Sequence, residues 1–481
     1  MSKILLINPN RWGRGITHIW IASHSGFLKK NNHLVEIFDA TFYQDWTLDE
    51  VEFATSTGMF KPSEYKNFIK YNSNSIVKDL QKKIDTFRPD LIFWSALSSH
   101  IHSEGEYVNI ENGYVLLEKI EKRSALKITG GLQATASPDV VYANHPNIDC
   151  LIMGESEVIL NEIANKIDCK KSIYDVDGIA YKVNDKILKN KKQSILKNLD
   201  IISPYDYDIF DDQTFYRPYN GEVVRAVDLE FSRGCIYSCS YCVETIIQKY
   251  YGFEESSKIS GAIKNFKSYL RSKSAKIIFN EIEYLVKEKK INLLRVQDTN
   301  FLTNDSKILN ELAEKINNSK LNFKMYIETR PEGINDKSVE LLKKLKVDGV
   351  GMGVELAEEN FREKSLNRFA SQSKTIEAFK ILKKASIKRT SYNVIGFPSQ
   401  DEKSIYETID FNKLIEPDNI TVAYYSPYYG TAQQKKGVKE NIFKDYEKNA
   451  DAALRTTSKS NFLSSEKLNF FKENFVKLSR S

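Results

Sequence analysis

Three cysteines lie close enough in the sequence to bind one metal centre. Cys235, Cys239 and Cys242 fall within eight residues, directly after Gly234. The spacing lets three thiolates converge from one short loop, and the glycine relieves the backbone at its start. Three thiolates with one position left open are typical of an iron–sulfur cluster that presents one iron atom to a further ligand. The sequence therefore predicts a [4Fe–4S] cluster on this loop.

Other interpretations of the cysteines remain open. A structural zinc ion needs four protein ligands. Here the fourth would have to be Cys150, Cys169 or one of the histidines, and the chain has no histidine after His145. Cysteines that merely pack in the interior would have no reason to cluster in a polar loop. Five cysteines in a chain that we expect to be cytoplasmic argue against a disulfide framework.

Length and composition are those of a globular protein. The 481 residues predict two or three domains, and 41% of them are hydrophobic and 28% charged. The net charge of +6, from 70 basic and 64 acidic residues, is spread along the chain, which argues against nucleic-acid binding. The sequence has no apolar run of about 18 residues, and the first apolar run is too short for a signal peptide. We expect a cytoplasmic protein with no membrane insertion.

Residues 1–170 alternate between short apolar runs and helical patterns. The alternation predicts a doubly wound, Rossmann-like α/β domain with a parallel sheet. Such sheets bind ligands beyond the carboxyl ends of their strands, and Gly130 and Gly131 at one of these ends would let the backbone approach a bulky ligand. The predicted strands are Ile4–Asn8, Leu34–Asp39, Leu91–Ser95, Lys127–Thr129 and Leu151–Met153.

The remainder divides into a linker, a second α/β region and a tail. Residues 171–223 are polar and turn-rich and predict a linker with a hairpin at Gly178–Lys189. Residues 224–437 alternate again and predict a partial six-stranded (β/α) barrel of TIM type, since a full barrel needs about 250 residues. Residues 438–481 predict a small C-terminal helical extension. The predicted barrel strands are Ala226–Phe231, Leu293–Gln297, Phe323–Glu328, Val350–Glu355, Ser391–Gly396 and Ile420–Ser426.

The cysteine loop resembles that of the radical S-adenosylmethionine (SAM) superfamily. In that family Cys-x3-Cys-x2-Cys follows the first barrel strand, SAM binds the open iron atom, and reductive cleavage of SAM gives a 5′-deoxyadenosyl radical. The resemblance covers about residues 224–435 and continues in Gln297–Phe301, Glu328–Arg330, Val350–Glu355, Leu366–Arg368, Val394–Pro398 and Pro427–Thr431. It implies SAM contacts from Tyr241, Asp298, Asn300, Arg330, Glu355, Gly396 and Pro398.

Two of these motifs depart from the family pattern. Leu356 and Ala357 stand where Ser-Gly usually follow the fourth-strand glutamate, which puts the contact of Glu355 with SAM in question. Tyr429 replaces a proline of the last-strand motif.

Residues 1–165 resemble the cobalamin-binding domain that precedes the barrel in one large radical SAM subgroup. The resemblance rests on Leu5–Pro9, Val35–Asp39, Thr129–Thr135 and Met153–Glu157. It implies cobalamin contacts from Asn8, Pro9, Ser95, Gly130, Gly131, Thr135, Gly154 and Glu155. The Asp-x-His-x-x-Gly motif that supplies a histidine to cobalt is absent. His18 and His100 are candidates for a cobalt ligand, and a domain retained only as a scaffold is the alternative to cobalamin binding.

Together the resemblances imply a cobalamin-dependent methyltransferase that acts on an unactivated carbon of a small-molecule substrate. SAM would be both the radical source and the methyl donor to cobalamin, and flavodoxin or ferredoxin would supply electrons. The barrel sequence offers no His or Cys pair suited to a protein nucleophile or an acid–base couple, and no catalytic side chain is assigned. Cyclisation or rearrangement without net methyl transfer, and a non-catalytic cobalamin or redox sensor, are the alternatives. Methylthiolation would need a second cluster, for which only Cys150 and Cys169 remain.

Overall fold

A computed structural model of the chain describes residues 1–97, 104–121, 124–443, 460 and 462–481. Within this part of the chain two seven-stranded sheets form the framework, and a pair of two-residue strands accompanies the second sheet. The described residues include no helix long and apolar enough to cross a membrane.

The first sheet has five parallel strands in the order β2-β1-β3-β4-β5, followed by the antiparallel hairpin β6-β7. This order is that of a doubly wound sheet, and the hairpin lies at the predicted position. The strands are β1 (Lys3–Asn8), β2 (Leu34–Asp39), β3 (Leu91–Trp94), β4 (Leu126–Thr129), β5 (Cys150–Ile152), β6 (Ile179–Val183) and β7 (Lys186–Lys189).

Apolar strands form this sheet because helices cover both of its faces. In β1, Ile4 and Leu6 join the hydrophobic cluster on one face, while Leu5 and Ile7 join the cluster on the other. The helices of this half are α1 (Ile19–Lys30), α2 (Glu50–Ser56), α3 (Ile76–Phe87), α4 (Glu104–Leu117), α5 (Leu132–Ala136), α6 (Pro138–Asn144) and α7 (Glu157–Asp168).

The second sheet has the order β16-β15-β14-β13-β12-β9-β8, in which six strands are parallel and the edge strand β8 is antiparallel. Strands β10 and β11 form the separate pair. The bounds are β8 (Tyr216–Tyr219), β9 (Glu222–Leu229), β10 (Ser232–Arg233), β11 (Arg271–Ser272), β12 (Leu293–Val296), β13 (Lys324–Thr329), β14 (Val347–Glu355), β15 (Lys388–Ile395) and β16 (Asn419–Tyr424).

The sheet curls until its far strands meet. The Asn419 amide on β16 donates to Asn220 Oδ1, in the β8–β9 turn, at 2.8 Å. Tyr219 Oη on β8 donates to Asp348 Oδ2 on β14 at 2.9 Å. Six parallel strands in a curled sheet confirm the predicted partial barrel.

Helices cover the convex face of this half-barrel. Leu294, Ile327 and Val350 on the strands pack beneath them in the larger hydrophobic cluster. The helices of this half of the chain, not all of which lie on that face, are α8 (Glu244–Tyr250), α9 (Ala275–Lys287), α10 (Ser306–Asn318), α11 (Asp336–Lys344), α12 (Glu359–Leu366), α13 (Gln372–Lys384), α14 (Glu402–Ile415), α15 (Ala432–Lys439) and α16 (Ser465–Arg480).

The last helix closes the final strand of the half-barrel. The ammonium group of Lys472 on α16 donates to the Val422 carbonyl of β16, and Tyr424 Oη donates to Asn469 Oδ1 at 2.8 Å. The sequence had predicted a helical tail, and α16 lies in that segment; part of the tail lies outside the described residues.

Candidate functional site

The cysteine loop lies between β10 and α8, directly beyond the first parallel strand of the half-barrel. Gly234 begins it with φ = +101°, and a Cβ atom there would lie 2.8 Å from the Tyr269 carbonyl oxygen. Cys235 and Cys239 are buried and Cys242 is half-buried. Position 234 therefore requires glycine, both for its backbone conformation and for space.

Hydrogen bonds from later elements hold the loop. The Gln248 amide on α8 donates to the carbonyl oxygens of Cys235 at 3.0 Å and Tyr237 at 2.9 Å. The Asn367 amide, just after α12, donates to the Ser238 carbonyl at 2.9 Å. These contacts place the loop over the carboxyl ends of the barrel strands.

The three thiols lie close enough to influence one another electrostatically. Burial, and then the nearby Glu244, raise the pKa of Cys235 to about 12, and burial and Cys239 raise the pKa of Cys242 well above its usual value. Thiols in such surroundings become thiolates when a metal supplies positive charge. The donor set fits a cluster for which the protein provides three soft ligands.

No group of three His, Cys, Asp or Glu side chains converges on a single ion in the described part of the chain. A mononuclear zinc site would require such convergence. In a [4Fe–4S] cluster each thiolate binds its own iron atom, so the sulfur atoms stand further apart. The three thiols would bind three iron atoms of one cluster, and a fourth iron would stay open to a further ligand.

Arg330, at the carboxyl end of β13, approaches the cysteine loop. Its Nη1 lies 3.7 Å from Cys239 Sγ, and its guanidinium stacks 3.6 Å from the centre of the Tyr237 ring. Glu332 pairs with the same guanidinium at 2.6 Å. A cation at this position offsets part of the negative charge of a thiolate cluster and can meet a carboxylate beside it.

The Asp298 carboxylate, at the carboxyl end of β12, accepts hydrogen bonds from other groups of the protein. Oδ1 accepts from the backbone N–H groups of Phe231 at 2.7 Å and Ser232 at 3.1 Å. Oδ2 accepts from Ser232 Oγ and from the Asn304 amide, each at 2.7 Å. The predicted contact with SAM would have to share these oxygens, and Asp298 acts first as the support of the segment before the cysteines.

Asn300 follows the same strand, two residues after Asp298, and is also buried. Its Oδ1 accepts from Thr329 Oγ1 at 2.7 Å and from the backbone N–H of Arg330 at 3.3 Å. Its carbonyl oxygen accepts from Thr303 Oγ1 at 2.7 Å. Asn300 therefore joins the ends of β12 and β13, and its SAM contact stays a prediction.

Glu355 ends β14 in a left-handed conformation, with φ = +62°, at a bulge against β15. Its carboxylate lies 3.7 Å from the Arg368 guanidinium, which also donates to the Gly353 carbonyl. A Cβ atom on Gly353 would lie 2.2 Å from Glu355 Oε1. The unusual backbone turns this carboxylate over the strand ends, where the resemblance places SAM.

An aromatic group adjoins this carboxylate. Tyr241 meets the Phe397 ring edge-on at 5.6 Å between ring centres, and Tyr425 lies 5.0 Å from the same ring. Gly396, with φ = +84°, donates its N–H to Gln400 Oε1 at 2.8 Å. Pro398 follows in the same turn, so the structure brings the predicted residues Tyr241, Gly396 and Pro398 together around Phe397, which the sequence reasoning did not select.

In the first domain the predicted cofactor residues gather at the carboxyl ends of β1, β3 and β4. Ser95 is buried with φ = +68°, and its carbonyl accepts the Gly130 N–H at 3.0 Å. Thr135 Oγ1 donates to the Gly131 carbonyl at 2.7 Å and accepts the Gly154 N–H at 2.9 Å. Small residues therefore form this edge of the sheet.

Buried acceptors at the same edge lack a protein donor. Among the described residues, Asn8 Oδ1 and Asp39 Oδ2 are buried without a hydrogen-bond partner. The Asn8 amide donates to Asp39 Oδ1 at 3.0 Å, and the neighbouring Pro9 carbonyl accepts from the Trp46 indole at 3.3 Å. Unsatisfied buried acceptors are rare, and the amide groups at the rim of a corrin ring are suitable donors. The edge thus fits cobalamin.

Gly154 and Glu155 face the second domain. A Cβ atom on Gly154 would lie 2.5 Å from Tyr251 Oη. The Glu155 carboxylate pairs with Arg271 of β11 at 2.7 Å and accepts the Leu196 N–H at 3.1 Å. The predicted cobalamin contact of Glu155 remains untested, and its carboxylate here joins the two domains.

His18 stands at the N-terminus of α1, and among the described residues its Nε2 is buried without a hydrogen-bond partner, so its role as a cobalt ligand stays a prediction. Burial lowers the pKa of His18 to about 4, with opposing influence from Asp228 and a further lowering by Arg217. His18 is therefore neutral and faces the half-barrel. His100 lies outside the described residues.

Known proteins share the sequence of this chain at low identity. Residues 229–411 match the Radical SAM superfamily. An uncharacterised methyltransferase of Pyrococcus horikoshii is 21% identical over 76% of this chain and 72% of its own length. The anaerobic magnesium-protoporphyrin IX monomethyl ester cyclase of Rubrivivax gelatinosus is 23% identical over 93% of this chain and 72% of its own length.

Solved structures share its fold. The radical SAM methyltransferase TsrM from Kitasatospora setae, with cobalamin and a [4Fe–4S] cluster bound, has a TM-score of 0.62 at 14% identity, covering 92% of this chain and 78% of TsrM. The cobalamin-dependent radical enzyme OxsB, with aqua-cobalamin and SAM bound, has a TM-score of 0.67 at 15% identity, covering 99% of this chain and 67% of OxsB.

These findings define the class of the protein. The chain contains a radical SAM domain, and its fold is that of the cobalamin-dependent radical SAM enzymes. The radical SAM domain at residues 229–411 implies a [4Fe–4S] cluster and SAM as cofactors.

Proposed function

We propose that this enzyme is a cobalamin-dependent methyltransferase that methylates an unactivated carbon of a small-molecule substrate. The observation that carries the proposal is the pairing of a three-cysteine loop with a doubly wound domain whose cofactor edge holds buried, unpartnered acceptors, Asn8 Oδ1 and Asp39 Oδ2. The methyltransferases TsrM and the hopanoid C-3 methylase of Methylococcus capsulatus, 22% identical over 76% of this chain, support it.

Each cofactor has residues suited to hold it. Cys235, Cys239 and Cys242 would hold the cluster, Glu355 and Arg330 would bind the polar groups of SAM, and the β1, β3 and β4 ends would hold cobalamin. When bound, the cluster supplies the electron that cleaves SAM and cobalamin carries the methyl group.

The protein's own contribution is positioning and exclusion of water. Asp298 fixes the segment before the cysteines, Arg330 neutralises charge beside Cys239, and the group around Phe397 gives SAM an apolar wall. From residue 146 onward the chain has no histidine. The chemistry therefore rests on the cofactors, which the two domains enclose.

We further propose that residues 1–170 form the cobalamin domain, 171–223 the linker, 224–437 the radical SAM core and 438–481 the C-terminal extension. The enzyme would act in the cytoplasm with flavodoxin or ferredoxin as electron donor. It would bind neither nucleic acid nor membranes.

A second candidate function is cyclisation or rearrangement without net methyl transfer. The Rubrivivax gelatinosus relative, which matches 93% of this chain, is named as a cyclase. Both functions use the same cofactor sites, so only the product separates them.

The test is anaerobic reconstitution with iron, sulfide and hydroxocobalamin, followed by desalting, metal analysis and a SAM-cleavage assay. About four iron atoms and one cobalt atom per chain are expected from one [4Fe–4S] cluster and one cobalamin. A chain that binds iron without cobalt would overturn methyl transfer through cobalamin.

Cys239→Ala tests the cluster assignment, and Cys169→Ala is its matched control, because Cys169 is exposed at the end of α7. We expect Cys239→Ala to abolish formation of 5′-deoxyadenosine and Cys169→Ala to retain it. Full activity of Cys239→Ala would contradict the proposal.

A further inference from the structure

We propose that the concave face of the half-barrel binds an acidic substrate, whose carboxylate or phosphate group is held by Arg295. This inference rests on the proposed function, since it names the class of molecule on which the same site would act. It concerns a part of the barrel that lies deeper than the cofactor residues described above.

Strand alternation places Arg295 on the concave face. Its neighbours Leu294 and Val296 pack into the hydrophobic cluster beneath the helices, so the side chain between them points the opposite way. Arg295 pairs in register with Asp228 of β9 and Tyr326 of β13. Asp228 contacts Thr17 of the first domain, with 2.7 Å between the Asp228 backbone nitrogen and Thr17 Oγ1. The first domain therefore reaches this face beside Arg295.

Polar side chains line the same face. Tyr326 and Tyr392 extend from the strands on either side of β14 and meet at 2.8 Å between their hydroxyl oxygens. They meet above Gly351, where a Cβ atom would lie 2.6 Å from Tyr326 Oη. Tyr392 Oη also donates to Glu328 Oε1 at 3.0 Å. Such a layer of hydroxyl groups suits a polar ligand better than a purely apolar one.

In the described part of the chain, Arg295 has one long ion pair and no hydrogen bond. The ion pair joins its guanidinium to Asp228 Oδ1 at 3.9 Å. The Asp228 carboxylate is already bonded to the Arg217 guanidinium and, at 2.8 Å, to the Gln297 amide.

The two arginines nearer the cysteines have close acceptors within the protein. Arg330 pairs with Glu332 at 2.6 Å, and Arg368 donates to the Gly353 carbonyl. Their side chains are 9% and 5% exposed, whereas that of Arg295 is 26% exposed. A partly exposed guanidinium that has no hydrogen bond to the described residues can receive an anion.

The position also suits the chemistry of the site. Tyr326 is the β13 partner of Arg295, and Arg330, which reaches Cys239, lies four residues further along β13. At about 3.3 Å per residue the anchoring group is about 13 Å from the level of the cysteine loop. An acidic group bound at Arg295 therefore leaves the rest of the substrate extending towards the cofactors.

The experiment uses the reconstituted protein in the presence of SAM, so that a probe cannot take the place of the SAM carboxylate. Benzoate, benzyl phosphate, benzylamine and benzyl alcohol are titrated separately and followed by saturation-transfer NMR. The proteins are the wild type, Arg295→Gln, Arg295→Lys and, as matched control, Arg225→Gln, since Arg225 pairs with Asp212 outside the concave face.

We expect benzoate or benzyl phosphate to bind at least tenfold more tightly than benzylamine and benzyl alcohol, and the stronger anion identifies the group. Arg295→Gln should weaken that binding at least tenfold, Arg295→Lys should weaken it less, because charge remains without the planar fork, and Arg225→Gln should not change it. If Arg295→Gln does not fold, the inference is tested by comparing anion binding by Arg295→Lys with that by Arg225→Gln.

Equal binding of all four probes, or of the anions to wild type and the Arg295 variants alike, would overturn the inference. Iron content and SAM cleavage are measured on the same preparations. Loss of those in the wild type would instead overturn the proposed function, because anion binding is read independently of them.

Discussion

The Arg233 guanidinium and the Glu157 carboxylate form an ion pair of 2.6 Å that joins the radical SAM domain to the cobalamin-type domain. Arg233 stands two residues before Cys235, and Glu157 begins α7. Both side chains are buried, and Glu230 pairs with the same guanidinium at 2.7 Å. The orientation of the cysteine loop is therefore tied to the first domain by charge as well as by packing.

Removing the charge of Glu157 should destabilise the whole protein. Glu157→Gln keeps the side-chain size but leaves the buried Arg233 guanidinium with less negative charge beside it. Breaking such a buried pair costs about 3 kcal/mol. Chemical denaturation measures the change in the free energy of unfolding.

Glu283→Gln is the control for this variant. Glu283 pairs with Lys287 at 2.7 Å on an exposed face of α9, and such pairs contribute less than about 0.5 kcal/mol. Equal losses in the free energy of unfolding of the two variants would show that the interdomain pair stabilises the protein no more than an exposed pair does.

The same pair should make stability depend on acid pH. Burial acts to raise the pKa of Glu157, but the Arg233 charge, His24 and the hydrogen bonds outweigh it and lower the pKa from 4.5 to about 2. A depressed folded-state pKa gives stability that is complete above the unfolded value of 4.5 and is lost as the pH falls through about 2.

We therefore expect the stability gap between wild type and Glu157→Gln to be constant from about pH 5 to 7 and to shrink by about 3 kcal/mol towards pH 2. Asp298 and Glu244, whose pKa values burial raises to about 6 and about 7, titrate in both proteins and cancel in the difference. Parallel denaturation curves at each pH measure the gap; a gap independent of pH down to pH 2 would contradict this account.

Local patterns in the sequence predicted the framework well. The strand β2 was predicted with its observed bounds, and the cysteine spacing identified the loop, because both are properties of neighbouring residues. The short strands β10 and β11 and the edge strand β8 were not predicted. Two-residue pairing leaves no periodicity to detect.

The supporting contacts could not be predicted, because their partners are distant in the chain. Glu157 and Arg233 are 76 residues apart, the first on helix α7 and the second on strand β10. The motif at Glu155 suggested a cofactor contact, while its carboxylate meets Arg271, 116 residues away. An arginine beside a cysteine motif was the available signal, but a single sequence does not show which carboxylate it meets.

Asp298→Asn should loosen the cysteine loop. An amide can still accept the two backbone N–H groups, but its NH₂ group would then face the donors Ser232 Oγ and Asn304 Nδ2. Leaving buried donors unmatched costs about 1–3 kcal/mol. We expect the variant to retain less iron after reconstitution and desalting than the wild type.

Asp410→Asn is the matched control for that measurement, since Asp410 pairs with Lys413 on the exposed side of α14. Iron retention equal to wild type in both variants would show that the Asp298 bonds do not hold the loop.

Gly234→Ala should prevent the loop from adopting its cluster-binding form. The added Cβ would lie 2.8 Å from the Tyr269 carbonyl, a backbone atom that cannot move aside like the end of a flexible side chain, and φ = +101° is itself unfavourable for alanine. We expect SAM cleavage to fall at least tenfold, together with iron content.

Gly252→Ala separates the two causes. Gly252 also has a positive φ, +82°, but a Cβ atom there meets nothing within 4 Å. This control therefore carries the backbone strain of about 1 kcal/mol without the clash. Loss of iron in Gly234→Ala alone would assign the effect to the contact with Tyr269. Similar losses in both variants would assign it to backbone strain. Retention of iron in both would mean that the loop can bind its cluster in another conformation.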